Sequence, residues 1–116
     1  MTISDLTFQA GNITQPLNTT ELDEYLGEIS DWQVSGLATA SLIRDFKCKD
    51  FVTAMTLAEA IGQLAERYNH HPELTITYGN LQVSWWTHTA SGITGNDVFM
   101  ALQCDHIYFK AETKGE

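Results

Sequence analysis

The chain of 116 residues has few cysteines and few basic side chains, and each shortage excludes a class of protein. Cys48 and Cys104 lie far apart and in no Cys-x-x-Cys pair, which argues against a disulfide framework and against a zinc finger. Six Lys and Arg against fifteen Asp and Glu give a net charge of -9, which would repel nucleic-acid phosphates and anionic lipid. We therefore expect no direct nucleic-acid partner and no membrane partner.

Long apolar runs are also missing from the sequence. No segment approaches the roughly 20 apolar residues that would span a bilayer. The N-terminus, MTISDLTFQAGN, lacks the basic start and the apolar core of a signal peptide. These features predict a cytoplasmic protein with reduced cysteines. Its length suits one domain with a single hydrophobic core.

The chain divides into an extension and one domain. Residues 1–18 are rich in Thr, Asn and Gln without a sustained hydrophobic period, which predicts a loosely attached extension of unassigned role. Residues 19–112 predict a single domain. Helical spacing covers residues 20–29, 51–69 and 96–109, and strand patterns cover residues 32–34, 37–48, 73–78 and 81–88. This α-β-β-α-β-β-α order predicts an α+β fold, a four-stranded antiparallel sheet with helices packed on one face.

Local signals predict where the helices begin and end. Thr19 or Thr20 would cap the first helix and Asp50 the second, because their side-chain oxygens accept hydrogen bonds from free backbone amides. Pro72 disfavours helical geometry at the residue before it, so the second helix should end near residue 69 or 70. The buried stripe of this helix is predicted to be Phe51, Ala54, Met55, Ala58, Ile61, Ala65 and Tyr68.

The segment ELTITYGNLQVSWWTH predicts a β-hairpin. Residues 79–80, Gly-Asn, can take the positive φ values that two-residue turns require. In the resulting register Leu74 faces Trp85 on an apolar face that the helices would cover. The same register places His71 level with His88 on the more polar face, so that the two imidazoles can approach each other.

Two adjacent histidines separate the second helix from this hairpin. Glu66 precedes His70 by four residues, which puts both on one side of the helix end and allows a hydrogen bond. Imidazole side chains exchange protons near neutral pH, and carboxylates can orient them for acid-base catalysis. His70, His71 and His88 therefore form a candidate catalytic site. A metal site built from these histidines and Glu66 is the alternative. His106, with no identified partner, is interpreted as a surface group.

The spacing of these residues resembles a known family. The pattern is an acidic residue, three spacers, His-His-Pro, five spacers, an aromatic residue, nine spacers, His, eight spacers and Asp. In this sequence it is filled by Glu66, His70, His71, Pro72, Tyr78, His88 and Asp97. The chain thereby resembles the pterin-4a-carbinolamine dehydratases over about residues 20–110. Asn69, Leu74 and Ala90 depart from residues common in that family.

The resemblance implies an activity and a role for each matching position. The family dehydrates 4a-hydroxytetrahydropterin to quinonoid dihydropterin during tetrahydrobiopterin recycling, with no metal or redox cofactor. His71 and His88 would be the principal acid-base pair, with His70 a third participant held by Glu66, and Asp97 would orient His88. The pterin would be bound by His70, His71, Pro72, Thr87, His88, Thr89 and Ala90.

The resemblance also implies self-association and leaves two other functions open. Members of the family assemble as a homodimer or homotetramer. Some act as the dimerization partner of a transcription factor, so a protein-binding module is one alternative function. A dehydratase for another pterin, linked to molybdenum cofactor metabolism, is the other.

Overall fold

The computed structural model describes residues 5–36 and 39–114, with side chains up to residue 111. The helices are α1 (Thr19–Leu26), α2 (Phe51–Tyr68) and α3 (Gly95–Lys114), and the strands are β1 (Gln33–Ser35), β2 (Ser41–Lys47), β3 (Glu73–Thr77) and β4 (Asn80–Trp85). A short 3₁₀ helix, His88–Ala90, lies between β4 and α3. The predicted α+β class and the order α-β-β-α-β-β-α are confirmed.

The four strands form one antiparallel sheet in the order β1-β2-β4-β3, with β4 in the interior. Because side chains alternate between the two faces of a strand, every second residue of β2 and β4 points toward the helices. The strand residues that are fully buried there are Leu42, Phe46, Leu81, Val83 and Trp85. The predicted packing of Trp85 on the helix side is therefore confirmed. Among the described residues no helix has the length and apolar character needed to cross a membrane.

Helix α2 leads directly to the two adjacent histidines; a side chain caps its start, and a left-handed backbone conformation ends it. The Asp50 carboxylate accepts a hydrogen bond from the Thr53 backbone N–H at 2.8 Å, so the predicted N-cap is confirmed. At the other end Asn69 takes a left-handed conformation, φ 51°, which Asn tolerates better than most residues. This reversal lets the His70 N–H reach the Ala65 carbonyl at 3.1 Å.

The buried face of α2 differs from the predicted stripe. Phe51 is 44% exposed and Met55 is 49% exposed, so both were wrongly assigned to the core. Leu57 and Leu64 are buried instead, and they turn the packed face of the helix away from Phe51 and Met55. The sequence pattern left this choice open because apolar residues occur on more than half of the helix circumference.

The start and end of α1 also differ from the prediction. Asn18, not Thr19 or Thr20, is the N-cap: its side chain accepts from the Glu21 N–H, while the Glu21 carboxylate accepts from the Asn18 N–H. This reciprocal capping box satisfies two donors at once, which a threonine one residue later would not do. The helix ends at Leu26, three residues earlier than predicted, and Gly27 is its C-cap.

The hairpin register is displaced from the predicted one. Its turn consists of residues 78–79, with Gly79 at φ +77°, so Leu74 pairs with Val83 instead of Trp85. The displacement by two residues keeps every side chain on its predicted face, because strand side chains repeat every two residues. It does remove the predicted alignment of His71 with His88, since β4 ends before His88 and the chain turns into the 3₁₀ helix.

The cap of α2 makes stability depend on pH. Hydrogen bonds from the side chain and the backbone of Thr53 lower the pKa of Asp50 below 3.8. The ionised carboxylate is thus favoured by folding, and its contribution is present above the unfolded-state pKa and lost as the pH falls through the folded-state pKa. We expect Asp50→Ala to lower the melting temperature at pH 7, with the difference from wild type shrinking below pH 3.8.

Asp50→Asn is the matched control, because asparagine also caps helices but does not titrate. Thermal melts of the three proteins between pH 2 and 7, followed by circular dichroism, measure the effect. We expect the asparagine variant to keep most of the stability at pH 7. Equal melting temperatures for wild type and Asp50→Ala at pH 7 would show that this cap does not stabilise the fold.

Candidate active site

A buried carboxylate lies against the first of the two adjacent histidines. Asp97, in the first turn of α3, is fully buried, and its Oδ1 lies 2.6 Å from Nε2 of His70. Its Oδ2 accepts hydrogen bonds from the Thr87 hydroxyl at 2.7 Å and from the Thr94 N–H at 2.9 Å. Since both oxygens are hydrogen-bonded, this carboxylate can be buried without the large cost of an unpaired polar group.

This contact determines how the His70 ring can react. An ionised carboxylate only accepts hydrogen bonds, so it holds a proton on Nε2 and leaves Nδ1 of the neutral ring as the acceptor. The ring orientation is fixed as well: Trp85 stacks on it at 5.5 Å between centroids, with 8° between planes, and Phe8 meets it edge-on at 6.0 Å. The His70 side chain is 14% exposed, so it is open to solvent or substrate on a limited side only.

The second histidine points elsewhere. Nε2 of His71 lies 2.5 Å from a carboxylate oxygen of Glu66, and the two side chains are 54% and 77% exposed. The predicted pairs, Glu66 with His70 and Asp97 with His88, are therefore wrong. Asp97 takes His70 because the left-handed turn at residue 69 folds that side chain inward, and its neighbour His71 is then directed outward toward Glu66.

A cavity of about 410 Å³ opens beside His70, within the range of small-molecule sites. It is lined by Phe8, Ala10, Gly11, Asn12, Ile13, Tyr68, Asn69, His70, Thr87, His88, Thr89 and Asn96. Four of the predicted substrate-binding residues are thus brought together: His70, Thr87, His88 and Thr89. The predicted residues outside this lining are Glu66, His71, Pro72, Ala90 and Asp97. Asp97 acts on the cavity only indirectly, by its hydrogen bond to the lining residue His70.

A second cavity, of about 300 Å³, has a different chemistry. It is lined by Lys47, Cys48, Lys49, Thr53, Thr56, Leu57, Ala60, Ile107, Tyr108 and Ala111, and so by no histidine or carboxylate. A third cavity, of about 370 Å³, is lined by Asp31, Arg44, Asp105, His106, Tyr108 and Phe109, and its Asp105 is hydrogen-bonded to Trp32 and Arg44 instead of to His106. The cavity beside His70 is therefore the candidate for acid-base chemistry, because its histidine is paired with a buried carboxylate.

The alternative metal site is not assembled. Glu66 and His71 form one pair, and His70 and Asp97 form another. Within residues 5–36 and 39–114, no three His, Cys, Asp or Glu side chains are grouped as metal ligands. Cys104 is also unsuited to act as a nucleophile, because burial raises the pKa of its thiol to about 12.

Sequence reasoning missed one whole side of the cavity. The N-terminal residues that line it belong to the segment predicted as a loosely attached extension, yet Phe8 packs on the hydrophobic core. The signals for this were scattered apolar residues such as Leu6, Phe8, Ile13 and Leu17; Leu6, Phe8 and Leu17 pack on the core and Ile13 lines the cavity. Without a sustained hydrophobic period, such residues do not distinguish a packed arm from a free one.

Comparison with known proteins identifies the family. The family model described as Pterin 4 alpha carbinolamine dehydratase matches residues 15–107. The chain belongs to this family.

Two bacterial proteins provisionally named pterin-4-alpha-carbinolamine dehydratase are similar along most of their length. The one from Chlorobaculum tepidum is 40% identical over 93 residues, 79% of this chain and 84% of its own. The one from Hahella chejuensis is 35% identical over 89 residues, 76% of this chain and 80% of its own.

A solved structure shows the same fold. The crystal structure of a transcriptional coactivator/pterin dehydratase from Brucella melitensis superposes with a TM-score of 0.74 at 32% identity. The match covers 81% of this chain and 99% of that one. The family predicted from the histidine motif is confirmed. In this pterin-4a-carbinolamine dehydratase homologue, the motif supplies both the buried His70–Asp97 pair and His88 at the cavity.

Proposed function

We propose that this protein removes water from a 4a-hydroxytetrahydropterin and yields a quinonoid dihydropterin, with His70 and His88 as the proton-transfer groups. The observation that carries this proposal is the His70–Asp97 pair at a cavity that His88 also lines. Family membership supports the reaction class. The physiological role would be the recycling of tetrahydrobiopterin.

The reaction consists of one bond cleavage and two proton transfers. The bond between C4a and the hydroxyl oxygen breaks, the hydroxyl takes a proton and leaves as water, N5 gives up its proton, and a double bond forms between C4a and N5. No electron is exchanged with another molecule. Imidazole suits both transfers, because its ordinary pKa of about 6.5 makes both protonation states available near neutral pH.

The geometry supports a division of labour between the two histidines. Nε2 of His70 is tied to Asp97, so Nδ1 would take the proton from N5, and the carboxylate would compensate the positive charge that forms on the ring. His88 is exposed at the cavity and would deliver the proton to the departing hydroxyl. His71, expected from the family resemblance to form the principal acid-base pair with His88, lies outside the cavity lining, and we assign it no proton transfer.

The direct test is an assay of the full-length protein with freshly generated 4a-hydroxytetrahydropterin. We expect quinonoid dihydropterin to form much faster than in the spontaneous reaction, and the acceleration to survive exhaustive chelation. No acceleration by a folded preparation would refute the dehydratase proposal. Loss of activity on chelation, with recovery on adding zinc, would refute metal-independent histidine catalysis. A higher kcat/KM with a pterin from molybdenum cofactor metabolism would show that this other pterin is the preferred substrate.

Protein binding is a second candidate function, favoured by an exposed apolar surface. Phe51, Val52 and Met55 at the start of α2 are large apolar side chains open to solvent. Clusters of this kind often mark protein interfaces. We propose that this surface serves self-association into a homodimer or homotetramer. Light scattering measures the oligomeric state, and the dehydratase assay measures the activity of the same preparation. An active homo-oligomer would favour the enzyme, whereas a folded but inactive protein would favour the binding module.

A further inference from the structure

Residues 8–13, which we call the strap, cover one side of the candidate cavity. The strap precedes the residues matched by the family model, which begin at residue 15. Its members on the cavity lining are Phe8, Ala10, Gly11, Asn12 and Ile13. The candidate active site is thus built partly from a segment that the histidine motif does not include.

The strap runs from one proposed proton-transfer group toward the other. At its start the Phe8 ring lies edge-on to the His70 ring, 6.0 Å between centroids. At its end the Ile13 carbonyl accepts a hydrogen bond of 2.6 Å from the hydroxyl of Thr89, the residue after His88. Any ligand held between the two histidines therefore lies beside the strap.

Hydrogen bonds on both sides fix the strap conformation. The Asn96 amide, itself buried, accepts from the Gln9 N–H at 2.8 Å and donates to the Gln9 carbonyl at 2.9 Å. Beyond the strap, the Leu17 N–H donates to the Ile93 carbonyl at 2.8 Å. Between these anchors Gly11 has φ +94°, a conformation that residues with a Cβ rarely adopt.

We propose that the strap binds the substituent at C6 of the pterin and so selects among pterins. This inference rests on the proposed function, in which His70 and His88 face N5 and C4a. C6 is bonded directly to N5, so its substituent leaves the ring close to the histidines, and the strap lines the cavity beside both of them. Phe8 and Ile13 offer apolar surface there, and Asn12 offers an exposed amide. This mixture suits a short alkyl chain that carries hydroxyl groups.

Equilibrium binding of two 7,8-dihydropterins to the full chain tests the inference, since neither ligand can undergo the reaction. One ligand carries a dihydroxypropyl chain at C6 and the other carries hydrogen. We expect wild type to bind the substituted pterin about tenfold more tightly, which corresponds to about 1.4 kcal/mol. We expect Gly11→Ala to bind the two ligands with nearly equal affinity, because a Cβ strains the backbone at φ +94° although no atom lies within 4 Å to clash with it.

Gly62→Ala is the matched control, because Gly62 lies within α2 and a Cβ there also meets nothing within 4 Å. It should keep the wild-type preference. Phe8→Ala is a second strap variant and should also reduce the preference. A strap with a purely structural role would lower the melting temperature of the strap variants without changing the ratio of the two dissociation constants.

Parallel turnover measurements separate this inference from the proposed function. Active wild type with no preference for the C6 substituent, or with the same preference in Gly11→Ala and Phe8→Ala, overturns the role of the strap and leaves the dehydratase intact. If the wild type has no turnover but prefers the C6-substituted pterin, and the strap variants lose this preference, the proposed role of the strap is supported and the dehydratase is overturned. Absence of binding to either pterin overturns the role of the strap, and absence of turnover in the same preparation overturns the dehydratase as well.

Discussion

His70→Gln is expected to lower kcat for dehydration by about 10²- to 10⁴-fold, the range for removing a general acid-base group. Glutamine can still donate a hydrogen bond to Asp97 and fill much of the space beside Trp85, but it cannot accept and hold the N5 proton. The KM should change less than kcat, because the side chain is proposed to act mainly on the reacting proton. Steady-state kinetics with 4a-hydroxytetrahydropterin measure both constants.

Other histidines provide the comparisons for this variant. His88→Ala should lower kcat by well over tenfold, in line with the same range of about 10² to 10⁴. His71→Ala should stay near the wild-type rate, because His71 is exposed, pairs with Glu66 and does not line the cavity. His106→Gln, an exposed histidine on α3, is the matched control and should be fully active. A large loss in His71→Ala with an active His70→Gln would reverse the assignment.

Asp97→Asn is expected to lower both kcat and stability. The carboxylate receives hydrogen bonds from the Thr87 hydroxyl, the Thr94 N–H and His70. An amide must turn its NH₂ group toward one of these donors, which leaves polar groups unpaired in a buried site and costs about 1–3 kcal/mol. If the NH₂ group faces Nε2 of His70, the ring proton moves to Nδ1, which can then no longer accept. We expect kcat to fall by about 10²-fold or more.

Asp105→Asn separates the catalytic loss from the loss of stability. Asp105 lies on the same helix and accepts hydrogen bonds from the Trp32 indole at 2.9 Å and from Arg44 at 2.6 Å, outside the cavity lining. Its substitution should lower the melting temperature and leave kcat unchanged. Thermal melts and kinetics well below both melting temperatures measure the two effects. Wild-type kcat in Asp97→Asn would exclude control of the His70 tautomer by Asp97.

Local sequence signals were sufficient for most elements of the fold. Caps such as Asp50 and the glycine of the hairpin turn act through neighbouring backbone groups, so the order of helices and strands followed from the sequence. The errors occurred where two local solutions were nearly equivalent. Gly79 can occupy either position of the two-residue turn, and the choice moved the hairpin register by two residues. Likewise, Asn18 and Thr19 are both good caps.

The residues of the candidate site were easier to predict from the sequence than the hydrogen bonds between them. The motif placed His70, His88 and Asp97 in one site, and the structure brings His70 and His88 to one cavity with Asp97 behind His70. Which acid pairs with which histidine depended on a single left-handed residue, Asn69, since it directs His70 inward and His71 outward. Spacing along the chain contains no information on that direction.

The sequence by itself therefore determined the family, the order of elements and the residues of the histidine motif, because these depend on residue type and on spacing between near neighbours. The tertiary structure alone decided the His70–Asp97 pairing and the position of the strap. Both depend on contacts between residues far apart in the chain, such as Gln9 with Asn96 and His70 with Asp97. Contacts of this kind form only once the sheet and helices have packed, so no local pattern in the sequence records them.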